Sequence, residues 1–122
     1  MLHLAALLTI LIGLHHSLRG ERSLIRPLLA MEGLPSILGD VRQTRRTLRV
    51  AWHITTAAWF TMAASMLWYG TTGTDGAAPF LIPTAILFGV SGVLALVLSR
   101  GRHPSWMFFL PIGALTGYAA LA

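Results

Sequence analysis

The chain contains no cysteine. Disulfides, thiolate nucleophiles, iron–sulfur ligation and cysteine-based zinc sites are therefore excluded. It also contains no lysine: all nine basic residues are arginines. Charge of any kind is scarce, at 11% of 122 residues, where a soluble domain carries about 25%. Only Glu21, Glu32, Asp40 and Asp75 are acidic, and none falls in the middle of an apolar run, which argues against a proton- or cation-coupled pump. No HExxH, GxGxxG, P-loop or nucleophile-elbow pattern is present.

What fills the chain instead is hydrocarbon. Hydrophobic residues make up 55% of it, and its mean hydropathy is +0.70. Such a chain lacks the polar surface to face water all round. A membrane helix needs about 20 mostly apolar residues. Four segments qualify: Leu2–Leu18, Leu48–Tyr69, Phe80–Ser99 and Ser105–Leu121. The start Met1-Leu2-His3-Leu4 has no basic region and no cleavage pattern follows, so the first segment is expected to be a retained helix.

The arginines sit in two places. Seven lie between Arg19 and Arg49, and the others are Arg100 and Arg102. Both clusters fall in connectors, which places them on the cytoplasmic side and both termini outside. The weakly acidic turn Thr71-Thr72-Gly73-Thr74-Asp75-Gly76 then lies outside. The formal charge of +5 points to anionic lipid headgroups as partners. Nucleic acid is excluded, since no basic soluble domain exists to carry it.

The fold expected is a single domain, 1–122: an all-α integral membrane protein built as a four-transmembrane-helix bundle. Helix 1 is expected to stop near Gly20. The stretch Glu21–Gly39, interrupted by Pro27 and Pro35, reads as a short interfacial segment. Asp40 has the character of an N-cap for helix 2 from Val41. Pro79 and Pro104 suit the first turns of helices 3 and 4. Small residues supply packing faces, above all Gly113 and Gly117 in helix 4 and Gly89 and Gly92 in helix 3. A bundle this small leaves apolar faces over, with room for a homo-oligomer or a larger membrane complex.

The topology brings imidazoles to one depth. His16 ends helix 1, His53 lies about one turn inside helix 2, and His103 precedes helix 4. His3 is 13 residues before His16, hence about 20 Å away. His15 and His16 point about 100° apart, and His16 is the one on the inward face. Arg42, Arg45, Arg46 and Arg49 form one stripe that continues to His53 and Thr56. Glu21 is the carboxylate closest to this layer.

Each feature has a plain reading: arginines that anchor headgroups, a histidine that caps a helix, an ordinary tryptophan belt. Their convergence motivates a binding site. One form is a redox cofactor, haem b, with His16 and His53 as axial ligands and Arg45, Arg46 and Arg49 as the anion clamp. A second is a divalent transition metal on His16, His53, His103 and Glu21. A third is a quinone or lipid headgroup held by Arg49 and His53. The rival class is a non-catalytic accessory or assembly subunit of a larger membrane complex. Ser17 and Ser105 lie near histidines, a chance-level arrangement from which no hydrolysis is inferred. The sequence assigns no reaction.

The pattern His16-Ser17…Gly20-Glu21-Arg22, Arg45-Arg46-Thr47-Leu48-Arg49, Trp52-His53 and Ser99-Arg100-Gly101-Arg102-His103 resembles that of an uncharacterised family of small bacterial four-helix membrane proteins. The resemblance spans nearly the whole chain. It implies a multi-pass location in the bacterial inner membrane and no particular activity.

Overall fold

The computed structural model describes residues 1–37 and 39–122. The described residues are helical apart from turns: α1 (Leu2–Gly20), a π turn (Glu21–Ile25), α2 (Arg26–Ala30), α3 (Val41–Thr72), α4 (Ala78–Leu98) and α5 (Trp106–Leu121). All-helical architecture is thus as the sequence implied.

The first helix departs from expectation. Its regular α-helical turns end at Gly20 as expected, but the rod does not. Glu21 and Arg26 keep helical dihedrals, and an apolar rod runs unbroken from Leu2 to Ala30. Pro27 explains the wide turn. A proline in a regular helix removes one hydrogen bond and drives its ring into the carbonyl four residues back, here that of Ser23. The backbone avoids this by loosening just before it: the Arg26 N–H reaches the Glu21 carbonyl, five residues away, and the Ser23 hydroxyl donates to the Arg19 carbonyl at 2.7 Å. The rod ends at Met31, whose backbone is extended (φ −64°, ψ 145°).

The connector is tied to the start of α3. Thr44, buried, donates its hydroxyl to the Pro35 carbonyl at 2.5 Å and accepts from the Ile37 N–H at 3.0 Å. Asp40 caps α3 as expected, its carboxylate accepting from the Arg42 N–H at 2.8 Å. Gly73 (φ 105°) stops α3, and Gly101 (φ 76°) follows α4. Its N–H bonds the Leu96 carbonyl at 2.8 Å. α5 begins at Trp106, slightly later than Pro104 suggested.

Packing pairs α1 with α3 and α4 with α5, and α1 joins the pairs through α5. The small residues act inside the chain. A Cβ at Gly113 would lie 2.8 Å from the Gly89 nitrogen and 3.1 Å from the Ala85 carbonyl oxygen, so α4 and α5 touch backbone to backbone. The shared core holds Leu2, Ala5, Ala6 and Ile12 from α1, Ala63 and Met66 from α3, Leu81 and Phe88 from α4, and Ile112 from α5. Trp59 of α3 reaches Phe88 and Phe109, with ring centroids 6.4 and 5.4 Å away.

The outer surface is apolar too. Leu4, Leu7, Leu11, Leu14 and Leu18 point outward along α1, and Ile86, Val90, Val93 and Val97 along α4. Two helical stretches, Leu2–Ala30 and Ala78–Leu98, are long and apolar enough to cross a membrane. α5 is apolar but has 16 residues. α3 has 32 residues but threonines, tryptophans and His53 dilute its apolar stretch.

Candidate functional site

The two ends of the bundle differ. At one end His3 packs on Gly70 and Tyr69 on Phe80. At the other, α1, α3 and the turn before α5 carry the remaining four histidines and most of the arginines. Two neighbouring ridges of α1 face α3 there. His16 and Gly20 form one, Ser17 and Glu21 the next, each pair four residues apart. The adjacent residues Trp52 and His53 of α3 divide between them for the same reason: side chains next in sequence point about 100° apart.

On the first ridge Gly20 makes room for the Trp52 indole, which would collide with any Cβ there. The indole N–H donates to the His16 carbonyl at 3.2 Å. The indole ring stacks on the His16 ring, with centroids 4.0 Å apart and planes 11° from parallel. Trp59 meets the His16 ring edge-on at 4.9 Å. Trp52, Thr56 and Trp59 share one face of α3 by their spacing. His16 Nε2 and Thr56 Oγ1 are buried on it without a hydrogen-bond partner.

This aromatic wall bounds a cleft of about 720 Å³. Arg19 lies on its rim. His103, Ser105 and Phe109 close the side formed by the α5 start. The His103 ring is set by its neighbours. Its Nδ1 lies 2.8 Å from Ser105 Oγ and accepts from the Ser105 N–H at 3.3 Å. A ring nitrogen that accepts from a backbone N–H carries no proton, so the tautomer that matches this geometry has its proton on Nε2. That N–H meets no partner among the described residues.

On the second ridge Glu21 is the hub. Its Oε1 accepts from Arg26 Nε at 3.4 Å and forms an ion pair with Arg49, whose Nε is 3.1 Å away. Its Oε2 lies 3.4 Å from His53 Nε2. That last contact is an ion-pair distance with poor hydrogen-bond alignment, since Oε2 is otherwise buried and unpaired. The other nitrogen of His53, Nδ1, is 2.5 Å from the Ser17 hydroxyl. Ser17, His53 and Glu21 therefore form a chain. Ser17 faces α3, and the chain ties the Glu21 carboxylate to that helix.

The expected residues are thus divided between two sites. His16 and His103 face the aromatic cleft. His53 and Glu21 lie on the far side of Gly20, and Arg49 joins them there. Arg45 and Arg49 line a second concavity with Arg26. Arg46 is exposed and lines neither. Among the described residues no group of three or more His, Asp or Glu side chains is arranged to hold a metal ion. Nor is the pair of axial ligands a haem b would need on offer: His16 Nε2 has no hydrogen-bond partner, but His53 turns Nδ1 to Ser17 and Nε2 to Glu21.

Sequence reasoning passed over Arg26 and the aromatic wall, and set Ser17 near a histidine without giving it a role. Ser17 was legible, being four residues before Glu21. Arg26 was not. Five residues after Glu21 on a regular helix it would point elsewhere, and only the π turn brings the two together. The wall was legible as the spacing Trp52, Thr56, Trp59. Neither a family model, nor a characterised protein, nor a solved structure matches the chain.

Proposed function

We propose that this is a multi-pass membrane protein that binds a small amphiphile with a flat, polar, quinone-type head in the cleft between α1, α3 and the start of α5. In this reading all four long helices cross the bilayer of a bacterial inner membrane, with the arginine-rich end in the cytoplasm. The outward leucines of α1 and the outward valines and isoleucine of α4 support it, because water-facing surfaces do not carry apolar patches of that extent.

The observation that carries the ligand assignment is the cleft itself. Its volume of about 720 Å³ lies within the range of about 300–1,000 Å³ usual for small-molecule sites. Trp52, Trp59 and Phe109 offer faces and edges for a ring to pack against. His103 Nε2–H and the Arg19 guanidinium offer donors to a carbonyl or phenolate oxygen. A hydrocarbon tail would continue into the surrounding lipid. The haem and metal readings lack such a match in donor geometry. The accessory-subunit reading drew on the small-residue stripes, and Gly113 and Gly117 of these are occupied by Gly89 and Ala85 of the same chain.

The test uses the full chain in lipid nanodiscs titrated with a short-tailed quinone. Two tryptophans line the cleft, so binding should quench part of the intrinsic fluorescence and saturate. Trp59→Leu should weaken saturation about tenfold, the equivalent of about 1.4 kcal/mol of lost ring contact. Quenching that rises linearly with quinone and is the same in Trp59→Leu would mean simple partitioning into lipid, and the assignment would fall.

A further inference from the structure

We propose a second binding site, separate from the aromatic cleft, in which Arg26, Arg45 and Arg49 take a phosphate-bearing anion. The site lies where α2 meets the first turns of α3. α2 contributes Arg26, Leu29 and Ala30, and α3 contributes Arg45 and Arg49, one turn apart. Together they line a concavity of about 430 Å³. Three guanidinium groups and the single carboxylate of Glu21 leave two positive charges there.

The geometry points to more than a basic surface. Glu21 Oε1 engages Arg26 and Arg49 through Nε in each case. A guanidinium bound at Nε keeps terminal Nη–H donors, the fork that matches two phosphate oxygens. Among the described residues no hydrogen bond or ion pair uses Nη of Arg26, Arg45 or Arg49. Glu21 thus orients two arginines by one edge and leaves donors free for a ligand. It is itself positioned by His53 and, through it, Ser17. The floor is apolar, since Leu29 is buried and Ala30 lies beside it, which suits an anion bearing hydrocarbon. The shared chemistry is a phosphate group, supplied either by a phospholipid headgroup or by free phosphate.

Removing Glu21 separates this site from general attraction. Glu21→Gln makes the cluster one charge more positive. A surface that merely attracts anions would bind more tightly. A site that depends on aligned arginines would bind more weakly.

The experiment places the full chain in nanodiscs of phosphatidylcholine doped with phosphatidylglycerol and counts retained anionic lipid by native mass spectrometry. Arg45→Gln and Arg49→Gln should each reduce retention about tenfold, as loss of a charge-assisted contact does. Glu21→Gln should reduce it about threefold or more, by the lost alignment. Arg100→Gln and Arg102→Gln, in the other basic connector, should leave it unchanged. Arg45→Lys keeps charge and fold but not the fork, and should also weaken retention. In a second arm inorganic phosphate is titrated against the bound lipid. Competition assigns the site to free phosphate as well, and retention of the lipid despite phosphate assigns it to the headgroup. Tighter retention in Glu21→Gln, or equal losses in Arg45→Gln and Arg100→Gln, would overturn the proposal. Neither result bears on quinone quenching at Trp59, so the two sites stand or fall separately.

Discussion

Replacing Gly20 by alanine tests whether Trp52 is seated on the α1 backbone. The added methyl would collide with the indole, whose Cε2 and Nε1 lie 2.9 and 3.0 Å from the new Cβ. Trp52 must swing away. It would then lose its N–H bond to the His16 carbonyl, worth about 1 kcal/mol, and its stack on the His16 ring, worth about 0.5–1.5 kcal/mol. Alanine offsets about 1 kcal/mol of this by its better helix propensity. The net expectation is a loss of about 0.5–1.5 kcal/mol. Gly89 provides the control. A Cβ there meets nothing within 4 Å, so Gly89→Ala should stabilise by about 1 kcal/mol. The two identical substitutions should therefore differ by about 2 kcal/mol, close to thirtyfold in the folded-to-unfolded ratio. Reversible unfolding in mixed micelles, followed by circular dichroism, measures both. Gly20→Ala as stable as Gly89→Ala would refute the seating of Trp52 and with it the aromatic wall of the cleft.

Gly113→Ala should damage the α4–α5 contact. Its Cβ would meet backbone atoms of Gly89 and Ala85, which cannot rotate away, so a loss of about 1–3 kcal/mol is expected in the same unfolding assay. Gly117→Ala, whose Cβ meets Ala85 at an ordinary 3.5 Å, should be tolerated. Asp40→Ala removes the cap on the Arg42 N–H and should cost about 1 kcal/mol. Hydrogen exchange should show that loss as faster opening confined to the first turn of α3.

The elements most legible in the sequence were those set by local chemistry. Asp40 announced the start of α3, the turn from Thr71 to Gly76 and the basic connector after Ser99 lay close to the ends of α3 and α4, and long apolar runs gave the helices themselves. Glycine commonly ends helices, and Gly20 does close the regular α-helical turns, although the rod runs on beyond it. Here its missing side chain also serves a neighbour, and a sequence cannot say that a glycine has this second use. The site was legible as a layer: His16, His53, His103 and Glu21 do lie toward one end. Its division was not. Which ridge a residue joins depends on a rotation of about 100° between neighbours and on which helix lies opposite. Nothing local fixes the second of these. The pairing of α1 with α3 and with α5 is a property of the whole bundle.

The loosened turn at Glu21–Ile25 has a consequence for how this chain can vary. It shifts the angular phase of everything after it, so the lower rod presents Arg26 and Leu29 to α3 while the upper rod keeps Thr9, Ile12 and His16 inward. A swapped side chain in that stretch alters the contacts of one residue, several of them at Glu21. Gain or loss of a single residue would turn the whole lower rod by more than a quarter revolution and carry its cation out of the basin. Length there constrains every residue that follows, whereas a side chain constrains only its own neighbours.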